Sequence, residues 1–204
     1  MNDDFDFNEE LDLSSLIMRF EEMSKEERVY FFDVDEFDAI IDYYLDNRLL
    51  EQCQRAINIA REQHPSVINF LLKQARLFIH GDQAEKALEL LSEIEKIEPS
   101  NADIFMIKGS IYSQFKHYNK AIEEYNKAIN DAEDIDEIYT NIAFEYENMG
   151  NYNKAIEYLK KVLKVNPENE SVIFEISFCF EITKNIEQGI DFLQEFLDMH
   201  PYSR

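Results

Sequence analysis

The four prolines of this chain, Pro65, Pro99, Pro167 and Pro201, lie on one arithmetic progression with steps of 34, 68 and 34 residues, and Glu133 stands where the missing member would be. Spacing this strict is the mark of a repeat array. One small supersecondary unit recurs, and no copy can bury its apolar face alone, so each stacks on the next.

A shift of 34 aligns other residue types as well. Cys53, Ala87, Ala121, Ala155 and Gly189 form a column without a large side chain, whereas Tyr44, Phe78, Tyr112, Tyr146 and Phe180 form one of aromatics only. A third column, Ile41, Ala75, Gly109, Ala143 and Ser177, is small in four cases of five. Large apolar residues recur at Phe37, Leu71, Phe105, Tyr139 and Ile173, and again at Ile57, Leu91, Tyr125, Leu159 and Leu193. Inside a period the spacing is helical: Phe105, Gly109 and Tyr112 fall at i, i+4, i+7, as do Ala121, Tyr125 and Ala128. Each period therefore reads as two helices of roughly 12 to 14 residues, joined by tight turns such as HGDQ at 80–83, KHYN at 116–119 and MGNYN at 149–153. The small columns mark close helix crossings, and the aromatic column fills the wedge between units. Proline closes each second helix by removing an N–H and restricting the residue before it; at Glu133 polar turn chemistry must serve instead.

The expected organisation is an acidic disordered tail over 1–12, capping helices over 13–33, and five units in unbroken register over 34–203, divided as 34–67, 68–101, 102–135, 136–169 and 170–203. In the leader, SSLIMRFEEM reads as a helix with Leu16, Phe20 and Met23 on one face. Ser24 and Glu27 have capping-box spacing, so KEERVYFF is expected to begin a second short helix. Either Asp33 with Glu36 or Asp35 with Asp38 can cap the helix that follows.

AEKALELL at 84–91, NKAIEEY at 119–125 and NYNKAIEYLKKVLKVNPEN at 151–169 resemble the tetratricopeptide repeat. The resemblance covers about five sixths of the chain and is most specific in the third and fourth units. Ile41 and Cys53 depart from its small residues in the first unit, and Gly189 and Phe196 from its alanines in the last. The resemblance implies an all-α, right-handed superhelical solenoid of antiparallel helix hairpins, whose first helices line a concave groove. FEEM at 20–23 followed by YFFDVDEFDAIIDYYLDN at 30–47 is similar to the start of acidic cytoplasmic repeat proteins of Bacteroidota, in which further repeats follow. That likeness implies the N-terminal part of a longer array.

Residues left over by the packing columns supply the expected groove. They are Asp35, Asp38, Asp42 and Asp46 in the first unit; Asn69, Leu72, Arg76 and His80 in the second; and Asp103, Met106, Ser110 and Gln114 in the third. Glu137, Thr140, Phe144, Glu147 and Asn148 follow in the fourth, then Ser171, Phe174, Phe178 and Glu181 in the fifth. Such a groove starts acidic and ends apolar, which suits a protein or peptide partner with basic and hydrophobic side chains. The stripe of aspartates has an equally direct reading as the solvated face of an acidic protein. Tetratricopeptide domains that clamp an acidic chaperone tail use paired Lys and Asn on this surface. Here the first unit offers aspartates, and Arg76 is the only inward base placed in the first three units.

Composition narrows the function further. With 43 acidic residues against 20 Lys plus Arg the net charge is −23, so phosphate backbones are repelled and nucleic acid is not an expected partner. No run approaches about 18 consecutive apolar residues, which argues against a membrane-spanning role. Two cysteines, Cys53 and Cys179, make no disulfide framework, and a cytoplasmic location is expected. His64, His80, His117 and His200 are scattered, and no metalloprotease, nucleophile-elbow, phosphate-loop or dinucleotide motif is present. The expectation is a non-catalytic scaffold with no cofactor and no metal. The alternative is a purely structural repeat segment of a larger protein. At the far end Phe192, Phe196 and Leu197 form an expected association face, because no further first helix stands to cover them; an isologous homodimer would do so.

Overall fold

The computed structural model describes residues 13–23, 30–132 and 134–199. The acidic tail at 1–12, the capping box at Ser24 and Glu27, His200 and the junction at Glu133 lie outside those residues. Among the described residues every regular element is a helix. Helix α1 spans residues 13–23, followed by α2 (Val34–Asp46), α3 (Leu50–Gln63), α4 (Asn69–His80), α5 (Ala84–Ile97), α6 (Ala102–Gln114), α7 (Tyr118–Ala128), α8 (Ile135–Asn148), α9 (Tyr152–Val165), α10 (Glu170–Ile182) and α11 (Ile186–Met199). The second helix of each hairpin starts 34 residues after the one before, at 50, 84, 118, 152 and 186. First helices start at 34, 69, 102, 135 and 170, so the slack falls in the links between hairpins.

The constant spacing comes from the turn inside each hairpin. Arg48, Asp82, Lys116, Gly150 and Lys184, again 34 apart, have φ of 55°, 56°, 59°, 72° and 59°. Each is followed by an N–H that reaches back to the carbonyl of the aromatic column: Leu49 to Tyr44 (2.8 Å), Gln83 to Phe78 (2.7 Å), His117 to Tyr112 (2.8 Å), Asn151 to Tyr146 (2.8 Å) and Asn185 to Phe180 (3.0 Å). This is a Schellman closure, which satisfies carbonyls that a helix end leaves unpaired. The starts of α2, α6, α9 and α10 are capped by side chains. Asp33 accepts from the Glu36 N–H (2.8 Å) while Glu36 accepts from the Asp33 N–H (2.9 Å), which decides between the two candidate caps of α2. Phe32 and Phe37, at N′ and N4, pack with ring centroids 5.4 Å apart as a hydrophobic staple. Asn101, Asn151 and Asn169 cap α6, α9 and α10.

The chain divides into two compact units, Met1–Lys96 and Ile97–Arg204. In the first, α1 lays Phe20 and Met23 onto α2 and α3, and Phe20, Phe32, Phe37, Tyr44 and Phe70 share a buried core with Cys53, Ala56, Ile57 and Ala60. Where a second short helix is expected to run up to α2, the described residues Tyr30, Phe31 and Phe32 are irregular. The backbone groups of this stretch pair with the end of α3 instead. Phe32 N–H donates to Gln63 Oε1 (3.1 Å), Gln63 Nε2 donates to Tyr30 O (2.8 Å), and His64 Nε2 lies 2.8 Å from Phe32 O. A segment with its polar groups so satisfied has no need to coil.

In the second unit, one core joins Phe105, Ala121, Ile122, Tyr125, Ala128, Ile138 and Ile142. Another joins Ala143, Ala155, Leu159, Val162, Ile176, Cys179, Phe180 and Phe196. The small residues mark the closest approaches. A Cβ on Gly109 would stand 2.3 Å from Tyr125 Cε1, and one on Gly189 would stand 3.0 Å from Phe180. Over the aromatic column the second helices lay lysines: Lys86 on Phe78, Lys120 on Tyr112 and Lys154 on Tyr146, at 5.9, 5.4 and 5.0 Å from the ring centroids.

Candidate binding faces

In the first unit the face made by α2 and α4 is closed on itself. Asn69 Nδ2 donates to both carboxylate oxygens of Asp38 (2.9 and 2.8 Å). Lys73 Nζ donates to Asp42 Oδ1 at 2.5 Å and lies 3.8 Å from Asp38 Oδ1. The Lys73 side chain is only 11% exposed, so its charge is held by the two aspartates rather than by water. Burial raises the Asp38 pKa above the usual carboxylate range, with Lys73 pulling the other way. A paired Lys and Asn thus do occur here, which corrects the placement of Arg76 as the lone inward base. The carboxylates they hold belong to the neighbouring helix of the same chain. Asp35, Asp46, Arg76 and His80 are exposed. Leu72, expected in the groove, is buried. Its apolar side chain turns into the packing that a groove residue would leave.

The second unit presents a different surface. On α10, Phe174, Phe178 and Ile182 stand one helical turn apart and are 75%, 50% and 47% exposed. On α8, Phe144, one period before Phe178, is 52% exposed. Phe178 is propped by the Tyr152 ring at 6.5 Å, edge to face. Beside them lie two half-buried carboxylates, Glu147 and Glu175. Burial raises both pKa values, and for Glu147 the charge of Glu175 adds to the effect. Cys179 Sγ donates to Glu147 Oε1 at 3.4 Å, and its thiol is pushed up to about 12 by burial. The Cys53 thiol is likewise pushed up to about 12, so both are poor nucleophiles at neutral pH.

The remaining expected positions are quieter. Asp103 and Met106 line a cavity of about 380 Å³ with Asp131, Asp134 and Glu137, between the starts of α6 and α8. Ser110 Oγ and Thr140 Oγ1 donate to their own helix carbonyls at Ile107 (2.9 Å) and Asp136 (2.8 Å). Gln114 and Asn148 are exposed. Among the described residues no group of three or more His, Cys, Asp or Glu is placed to hold a metal ion, and no helix is long and apolar enough to cross a membrane.

At the last hairpin, Phe196 is buried, contrary to its expected place on an association face. It packs within its own unit, its ring 6.2 Å from Phe192, whose ring in turn lies 6.3 Å from Phe180 and 4.2 Å below Lys160 Nζ. Phe192 is half-buried and Leu197 exposed, and the exposed apolar stripe of α11 is Ile186, Ile190 and Leu197.

Two tetratricopeptide repeat models match, at residues 102–130 and 137–169. The chain carries tetratricopeptide repeats. No curated protein matches it by sequence. Among solved structures, the protein MamA is 20% identical with a TM-score of 0.61, over 79% of this chain and 88% of that one. A thermophilic TPR protein of Thermus thermophilus is 17% identical with a TM-score of 0.65, over 82% and 90%. The pilF protein of Pseudomonas aeruginosa is 20% identical with a TM-score of 0.64, over 82% and 76%. At these identities the likeness establishes the all-helical tetratricopeptide fold. Repeats of this kind build extended binding surfaces and serve as protein-interaction scaffolds.

Proposed function

We propose that the chain is a non-catalytic scaffold that binds a protein or peptide segment on the first-helix face of its second unit, through Phe144, Phe174 and Phe178. The observation that carries this reading is the exposure of three phenylalanines and Ile182 on adjoining first helices, while the same helices bury Ile138, Ile142, Val172 and Ile176. Full burial of a phenylalanine is worth about 1.5 to 3 kcal/mol, and rings held half or more in water forgo the corresponding share of it, while aromatic anchors dominate interface energetics. The partner suited to this face is hydrophobic and basic. The charge of Glu175 already raises the proton affinity of Glu147, and a cation placed between the two relieves that repulsion.

The acidic first-unit face is a weaker candidate, because Asp38 and Asp42 are engaged by Asn69 and Lys73. Selection of a random peptide library on the immobilised full chain tests the reading. Sequences combining Lys or Arg with aromatic or aliphatic residues are expected, and their enrichment should vanish on Phe174→Ser/Phe178→Ser. Acidic sequences, or enrichment indifferent to those substitutions, would overturn it. The rival, a structural segment that associates through its last hairpin, draws on the exposed Ile186, Ile190 and Leu197. It predicts that Ile190→Glu, and not the phenylalanine pair, removes partners.

A further inference from the structure

A second surface lies on the other helices of the same unit. Between α9 and α11 runs a groove of about 710 Å³, floored by Leu163, Phe192, Phe196 and Met199 and rimmed by Lys160, Lys161 and Lys164, with Glu157 and Glu195 at its edge. In a chain of net charge −23, three lysines around one apolar groove are out of character. None of them has a carboxylate partner among the described residues. Lys160 Nζ sits 4.2 Å from the Phe192 ring centroid and Lys161 Nζ 3.9 Å from that of Tyr158, so both ammonium groups rest on aromatic faces. Lys161 and Lys164 are exposed, whereas Leu163 and Phe196 beneath are buried. The floor calls for apolar side chains and the rim for negative charge.

The chain itself contains a segment of that chemistry. Residues 1–12, MNDDFDFNEELD, carry six acidic residues and no basic one, with Phe5 and Phe7 set between Asp4, Asp6 and Asn8. Two residues apart, both rings fall on one side of an extended backbone and the intervening aspartate on the other. A groove of this volume is of the size that buries a small ligand or a pair of side chains. We propose that the α9–α11 groove receives residues 1–12 of a second copy of this chain, with Phe5 and Phe7 against Phe192 and Met199, over the buried Phe196, and the flanking carboxylates on Lys160, Lys161 and Lys164. The net charge of each copy opposes approach. At physiological salt the Debye length is about 8 Å, so charges outside the contact are largely screened while those within it act at full strength. The contact is heterologous, each copy giving its leader and receiving another, and so it links copies head to tail. It is independent of the face formed by Phe144, Phe174 and Phe178.

Sedimentation velocity on the full chain, from micromolar to submillimolar concentration, tests the proposal. The wild type is expected to form a concentration-dependent species larger than the monomer. Lys161→Glu/Lys164→Glu, at exposed positions that leave the fold intact by circular dichroism, should weaken it by about tenfold or more, as should Phe5→Ser/Phe7→Ser. The decisive arm joins Lys161→Glu/Lys164→Glu with Asp3→Lys/Asp4→Lys/Asp6→Lys, and association should return. A wild type that stays monomeric throughout overturns the proposal. So does association that survives both pairs of substitutions, which would instead place the contact on Ile186, Ile190 and Leu197, and so does a charge-exchanged chain that fails to associate.

Discussion

The two units use the same hairpin for opposite ends. In the first, the outward positions of α2 and α4 are filled by a lysine, an asparagine and two aspartates that tie the helices together across one period. In the second, the positions of the two aspartates are taken by Phe174 and by Phe144 and Phe178, which stand in water, while those of Asn69 and Lys73 fall on Ser171 and Glu175 of α10. The backbone scaffold does not dictate this. Both units keep the same aromatic column and the same left-handed turn, and small residues hold the crossings in both except at Ile41. A repeat thus separates packing from presentation: one set of positions fixes the stack, and the leftover set is free to lock the face or to leave it open.

The largest effect expected on this contrast is at the lock. Lys73→Ala leaves Asp38 and Asp42 facing each other without their cation and should lower stability by about 2 to 3 kcal/mol, read from denaturant midpoints. A double-mutant cycle with Asp42→Asn should return a coupling of about 1 kcal/mol or more; additive losses would show that the lysine acts through packing alone. Next come the crossings. Ala155→Leu and Ala121→Leu should each lose roughly 1 to 3 kcal/mol by overpacking, and Gly109→Ala should fall in the same range because its new methyl meets the Tyr125 ring. Unchanged midpoints would mean that these columns do not set the interhelical distance.

Smaller gains are expected at the turns, and equally in both units. Arg48→Gly and Lys184→Gly place a residue without Cβ at a positive φ and should stabilise by about 0.5 to 1 kcal/mol, net of the entropy that glycine adds to the unfolded chain. A gain in one unit only would make its turn strain particular to that unit. Smallest is Glu147→Gln. The folded pKa of Glu147 is raised, so the unfolded chain releases its proton first as pH rises, and stability is lost through the folded value. The substitution should therefore raise stability at neutral pH by under about 1 kcal/mol and leave it unchanged in acid, as thermal melts across that range would show.

Much of the fold was legible because packing at a fixed period constrains residue size directly. Cys53, Ala87, Ala121 and Ala155 are fully buried, and the aromatic column closes every hairpin. The turn chemistry was less visible. Only Gly150 of the five left-handed positions is a glycine, so the residue type that normally announces such a turn is absent from the other four. The candidate site is least legible in the sequence where one side chain's role depends on another helix. Lys73 looks like a surface lysine until Asp42 is placed against it, although the equal offset of 31 residues from Asp38 to Asn69 and from Asp42 to Lys73 was a signal in the sequence. Leu72 and Phe196 show the converse. An apolar residue in a groove column or at a last repeat fits either a face or a core, and burial by its neighbours chose the core for both.

One titration separates a second unit that offers its first-helix face from a first unit that locks its own. The dissociation constant of a library-selected basic and aromatic peptide would be measured by fluorescence anisotropy for the wild type, for Phe174→Ser/Phe178→Ser and for Asp38→Asn/Asp42→Asn. A loss of roughly tenfold to a hundredfold is expected for the phenylalanine pair, with folding stability changed by no more than about 0.5 kcal/mol, and a change of less than about threefold for the aspartate pair. Full affinity without the phenylalanines, or its collapse without the aspartates, would contradict it.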